Sequence, residues 1–183
     1  MGEQPRQPEG LVYRPEFLTW DEEQQALGVL EAMELHTITM HGQTARRTVR
    51  HFGLDYGYES WKLVPTDPLP NDLAWLQERA AALAGLDPDQ FAQILISRYP
   101  PGSTIGWHRD APCSAARWSG LPGVHLPHAF PARQGTRTPG GRGHPRPTLR
   151  LRPVRAARYA WQHSIPPTKA LRYSITFRTL KAS

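Results

Sequence analysis

Only one cysteine, Cys113, stands among the 183 residues. Neither an intramolecular disulfide framework nor a cysteine-rich zinc finger can be built from it, and a reducing, cytoplasmic setting is expected. No apolar run is long enough for a membrane span, and the opening Met-Gly-Glu-Gln-Pro-Arg-Gln-Pro has no apolar h-region of a secretory signal. The expectation is a protein without membrane attachment. A mass of 20.6 kDa fits one domain over residues 1–183 with a sizeable core, taken here as a monomer.

Acidic residues are missing from one stretch altogether. Residues 112–158 hold nine arginines and no lysine, aspartate or glutamate, so the other 136 residues carry 13 basic groups against all 16 acids, a net −3. The overall charge of +6 and pI near 9.9 therefore do not mark the whole chain as a nucleic-acid binder. The same stretch takes eight of the 19 prolines and six of the 15 glycines, the composition of a disordered or low-complexity segment.

The flanks have globular periodicity. Thr19 followed by Glu22 reads as a capping box, and Ala26, Leu27, Leu30 and Met33 form the apolar stripe of a helix reaching about Leu35. Asn71 is the expected cap of a second helix with Leu73, Leu76, Ala80 and Leu83 on one face and Gly85 as its stop. Residues 36–58, rich in Thr, Val and aromatics with Gly42, Gly53 and Gly57 as turn points, read as short strands or hairpins. Residues 91–99 read as a buried strand ended by Pro100-Pro101-Gly102.

Chemistry-bearing residues follow that turn. His108 and Asp110 are two apart, which in extended chain points both to one face and suits two ligands of one metal; a surface histidine beside an aspartate is the plainer alternative. His163 lies in Arg158-Tyr-Ala-Trp-Gln-His-Ser-Ile-Pro-Pro. Residues 171–178 alternate, with Leu171, Tyr173, Ile175 and Phe177 on one face and Arg172, Ser174, Thr176 and Arg178 on the other. Two arginines on a polar strand face make either a solvated edge or a site for a ligand with two carboxylates. Their Cα atoms stand about 20 Å apart by strand rise, so sharing one diacid requires both side chains to lean inward.

Taken in order, Tyr99, His108-x-Asp110, His163 and Arg172-Tyr-Ser-Ile-Thr-Phe-Arg178 resemble the AlkB-type iron(II)- and 2-oxoglutarate-dependent dioxygenases. The resemblance covers about residues 10–111 and 158–180, including Ala45-Arg-Arg-Thr-Val-Arg-His-Phe-Gly53 and Asp55-Tyr-Gly-Tyr58. It implies a mainly β chain with flanking N-terminal helices (α+β) and a double-stranded β-helix (jelly-roll) core. Residues 1–90 would hold the helices and substrate lid, and residues 91–180 the catalytic jelly roll. It also implies that His108, Asp110 and His163 form a two-histidine, one-carboxylate triad for Fe(II). Arg172 and Tyr99 would take the distal carboxylate of 2-oxoglutarate, and Arg178 the one next to the keto group. The reaction implied consumes O2 and 2-oxoglutarate and removes an N-methyl group from alkylated DNA or RNA, on a single-stranded or flipped base. Its products are succinate, CO2 and formaldehyde.

The chain departs from that pattern in places that bear on substrate. Ser97 and Ser174 stand where many members carry asparagine, and Ala111-Pro112 follows the triad aspartate where several DNA-repair members carry acidic residues. Arg46, Arg47 and Arg50 read equally as phosphate contacts or a hairpin face, and Trp61, Tyr56 and Tyr58 as core or base platform. The acid-free tract falls where the middle strands of the jelly roll belong, so the core is expected to be incomplete in this sequence. A shifted reading frame accounts for it: codons for Gly140-Gly-Arg-Gly-His-Pro-Arg-Pro-Thr-Leu-Arg-Leu-Arg-Pro-Val-Arg155, read one base later, permit Glu-Val-Glu-Val-Thr-Leu, an alternating strand. The other function classes open to the sequence are a 2-oxoglutarate oxygenase acting on protein or a small molecule, and an inactive basic nucleic-acid-binding module resting on the arginine tract.

Overall fold

The computed structural model describes residues 12–14, 17–40, 43–56, 63–108, 123–128, 149–152 and 163–180. Helix α1 spans Trp20–Ala32, and the capping box forms as its sequence predicts: the Thr19 hydroxyl accepts from the Glu22 N–H at 3.3 Å while the Glu22 carboxylate accepts from the Thr19 N–H at 2.8 Å. The helix stops at a C-cap on Met33, short of Leu35. Asn71 does not cap the second helix. It opens a single 3-10 turn, Asn71–Leu73, and α2 runs from there over Ala74–Ala84. Gly85 ends it in the left-handed conformation, at φ 66°, that favours glycine.

The strands are β1 (Val12–Arg14), β2 (His36–Met40), β3 (Gln43–Phe52), β4 (Leu54–Tyr56), β5 (Leu63–Pro65), β6 (Phe91–Tyr99), β7 (Ile105–His108), β8 (Gly123–His128), β9 (Leu149–Arg152), β10 (His163–Ile165) and β11 (Arg172–Thr179). Seven of them form one antiparallel sheet in the order β1-β9-β8-β11-β6-β3-β2, while β7 pairs with β10 and β4 with β5. Among the described residues no helix is long and apolar enough to cross a membrane.

The two faces of the large sheet are chemically opposite because side chains alternate along each strand. On one face Phe52, Ile94, Ile96, Tyr173, Ile175 and Phe177 join Ala26, Leu27 and Leu30 of α1 and Leu76, Ala80 and Ala81 of α2 in the core. Each large apolar side chain removed from water there contributes roughly 1.5–3 kcal/mol before entropy is counted. Helices α1 and α2 are also clamped together: Arg79 donates to both carboxylate oxygens of Glu22, at 2.7 and 2.5 Å, and its guanidinium stands over Phe17 and Trp75. This bond pulls the Glu22 carboxyl down to about 2 against the opposing effect of burial.

Strand β11 is central in this sheet, flanked by β6 and β8. That overturns the solvated-edge reading of its polar face: Ser174 is 2% exposed, and Ser97, its partner on β6, equally so. The arginine-rich tract is also not structureless throughout. Strand β8 pairs with β11 and β9 with β8, the second from Leu149-Arg-Leu-Arg152, whose period-two alternation is a strand signal that the surrounding proline and glycine outweighed in the composition. Cys113 and the rest of the tract lie outside the described residues.

Candidate active site

One antiparallel ribbon builds the site. β6 and β11 pair from Phe177↔Ile94 up to Arg172↔Tyr99, and beyond that rung both chains turn a corner together. At the corner the Gly102 N–H donates to the Thr168 carbonyl at 2.8 Å and the Thr168 N–H to the Ser103 carbonyl at 2.9 Å. Thr168 Oγ1 donates to the Pro100 carbonyl, and Thr104 Oγ1 to the Ile165 carbonyl, both at 2.8 Å. Gly102 makes this possible with φ at +80°, a conformation open to glycine at no steric cost. The ribbon continues as β7 and β10, with Ile165 opposite Ile105 and, past a register shift, His163 opposite His108.

Residues 55 apart in sequence are thus Cα partners on one rung. Asp110, the third expected ligand, lies outside the described residues. Among those described, no three of His, Cys, Asp and Glu form a metal-holding group.

The second expected pair also meets. Arg172 and Tyr99 are Cα partners, and the guanidinium lies 5.1 Å from the centre of the buried Tyr99 ring, a cation–π contact that orients the arginine on the sheet face opposite the helices. Arg178 shares that face but stands six positions along β11. Its Nη1 donates to Gln93 Oε1 at 2.8 Å, and Gln93 Nε2 donates in turn to the Leu54 carbonyl at 2.8 Å.

Beside them, on β3, His51 Nδ1 lies 3.0 Å from Asp55 Oδ1. Burial pushes the His51 imidazole below its ordinary value; Asp55 opposes this, and the charges of Arg178 and Arg47 add to the downward push. The turn that brings Asp55 back to His51 needs Gly53, at φ +77°, where a Cβ would stand 2.6 Å from the Ala92 carbonyl oxygen.

Sequence reasoning missed Gln93, His51 and Asp55. The signal for Gln93 was present, a lone amide inside Phe-Ala-Gln-Ile-Leu-Ile, whereas the His51 and Asp55 contact is made by a turn. Of the three arginines on β3, Arg50 is engaged within the protein, donating to the Glu34 carbonyl at 3.3 Å and to Asp67 at 3.1 Å and lying over Phe52. Trp61, Tyr58, Ala111 and Pro112 lie outside the described residues, and Tyr56 is placed only as the end of β4.

The chain carrying this sheet face and its paired-histidine rung superposes on solved structures. A prolyl hydroxylase from Trichoplax adhaerens, in complex with a hypoxia inducible factor oxygen degradation domain peptide fragment, superposes with a TM-score of 0.59. It is 14% identical and matches over 94% of this chain and 84% of that one. An oxidoreductase of the 2OG-Fe(II) oxygenase family from Burkholderia pseudomallei gives 0.56, at 16% identity over 94% and 86%. A prolyl-4-hydroxylase from Pseudomonas putida gives 0.55, at 15% over 95% and 94%. The chain shares their jelly-roll fold. At these identities the likeness is one of fold, and it bears out the expected mainly β architecture with flanking helices. No family model and no curated protein sequence matches the chain.

Proposed function

We propose that this protein is an iron(II)- and 2-oxoglutarate-dependent oxygenase that removes N-methyl groups from alkylated bases of DNA or RNA. The observation that carries the reading is the continuous ribbon, which sets His163 opposite His108 and, around one corner, Arg172 opposite Tyr99. The residues fit the two groups: paired histidines suit a divalent iron, and arginines on a buried polar face suit a dicarboxylate.

In this reading His108, Asp110 and His163 hold the metal. Arg172 and Tyr99 take the distal carboxylate of 2-oxoglutarate, and Arg178 takes the carboxylate next to the keto group. Bound iron and 2-oxoglutarate supply oxidative decarboxylation coupled to hydroxylation of a C–H bond. The protein's contribution is placement: the Tyr99 ring holds the Arg172 guanidinium, and the buried serines Ser97 and Ser174 keep a narrow polar floor between the arginines.

A second reading draws on the comparisons, since two of the structures named above are prolyl hydroxylases: the same site acting on a protein side chain. The deciding experiment incubates the protein with Fe(II), O2 and 2-oxoglutarate and measures succinate and formaldehyde on addition of methylated single-stranded DNA. Formaldehyde released in step with succinate, both lost in His163→Ala, is the expected result. Succinate formation that methylated DNA neither stimulates nor inhibits favours a protein substrate, and turnover that survives in His163→Ala removes the triad assignment.

A further inference from the structure

Gln93 is 1% exposed and lies in a strand whose other buried residues are apolar apart from Ser97. A buried amide costs free energy unless its donor and acceptor are both used. Here both are, and the orientation follows from the partners: the Leu54 carbonyl can only accept, so the Nε2 end must face it, which leaves Oε1 for the Arg178 guanidinium.

That choice of residue has an electrostatic consequence. A glutamate in this position would orient Arg178 equally well but cancel its charge, and would give the Leu54 carbonyl no donor. A leucine would leave both partners without this hydrogen bond. A neutral acceptor fixes the guanidinium without itself cancelling the charge, and that charge is felt nearby, where it disfavours protonation of His51. The other end of the amide reaches the first residue of β4, where Leu54 pairs with Pro65 across the β4–β5 hairpin.

We propose that Gln93 is a positioning residue: it holds Arg178 for the carboxylate of a dicarboxylic co-substrate and ties that arginine to the base of the β4–β5 hairpin. The inference rests on the oxygenase reading and deepens it. An anion that draws on Arg178 then acts on the hairpin through one side chain.

The test uses the full-length protein loaded with Mn(II), calorimetric titration with 2-oxoglutarate, and amide hydrogen exchange of the segment spanning residues 54–65, with the bound ligand and without it. Gln93→Glu, near-isosteric, is expected to keep the wild-type circular dichroism and to weaken 2-oxoglutarate at least tenfold. Gln93→Leu is expected to weaken it as well, to speed exchange in the hairpin, and to lose the slowing of that exchange that 2-oxoglutarate produces in the wild type. Should Gln93→Leu fail to fold, Gln93→Glu decides: wild-type affinity in that variant overturns the proposal while leaving the oxygenase reading intact. Weakened affinity with hairpin exchange unchanged in both variants overturns the tie to the hairpin. A wild-type protein that does not bind 2-oxoglutarate overturns the oxygenase reading, and this inference with it.

Discussion

The two faces of the large sheet are made from the same strands, yet they solve different problems. Toward the helices, β3, β6 and β11 present Phe52, Ile94, Ile96, Tyr173, Ile175 and Phe177, and the free energy there is that of apolar surface removed from water. On the reverse, the same strands present His51, Gln93, Ser97, Tyr99, Arg172, Ser174 and Arg178, several of them equally buried. Hydrogen bonds and charge hold that side, with Arg178, Gln93 and Leu54 in one chain and Arg172 on Tyr99 in another. Burial alone therefore does not separate a structural face from a functional one. The separation lies in what a truncation removes: packing on the first face, a ligand's partners on the second.

Substitutions on each side sharpen that contrast. Phe177→Ala empties a fully buried site against Phe91, 5.2 Å away ring to ring, and should cost about 3–5 kcal/mol in chemical denaturation. A loss under 1 kcal/mol would mean that the apolar face does not carry the fold.

Glu22→Gln keeps the capping box, since glutamine serves at that position, and removes only the ionic part of the clamp between α1 and α2. With the Arg79 side chain 39% exposed, solvent screening limits the loss to roughly 1 kcal/mol at neutral pH. The carboxyl of the folded state lies below that of the unfolded chain, so the ion pair stabilises fully above pH 4.5 and is lost as pH falls through about 2. Denaturation curves of the two proteins should therefore converge in acid. A gap that persists at pH 2 assigns the loss to packing.

Ser174→Ala, on the polar face, should cost no more than about 1.5 kcal/mol of stability while weakening 2-oxoglutarate in the same calorimetric titration. If stability falls as it does in the core, the polar face is a second core and not a site.

The elements that periodicity and capping specify were legible from sequence: α1 with its Thr19 and Glu22 box, the buried strand at 91–99, the left-handed stop at Gly85. So was the alternation of β11, although its position within the sheet was not. Whether Arg172 and Arg178 face water depends on β8, which pairs with β11 from inside a tract whose composition argues against strands. Asn71 misled because a capping residue type competes with the tighter turn that Pro70 begins. His108 and His163 come together as Cα partners in the β7–β10 pair, and Tyr99 and Arg172 in the β6–β11 pair. Register between distant segments, as in the meeting of His163 and His108, is not written in local pattern, and the contact of His51 with Asp55 depends on the turn at Gly53. The frame-shift account of residues 112–157 is tested by sequencing genomic DNA across codons 105–165, where three additional bases are expected.

Period-two alternation also makes the ribbon self-checking. Slippage of β11 by one residue against β6 would carry Tyr173, Ile175 and Phe177 to the polar side and drive Arg172 and Arg178 into the helices, an exchange costing about as much as the whole stability of a domain this size. The apolar face thus proofreads the placement of residues it never touches. Because the same two chains run on through the corner at Gly102 and Thr168, the check extends, with one register shift absorbed, to the rung where His163 meets His108.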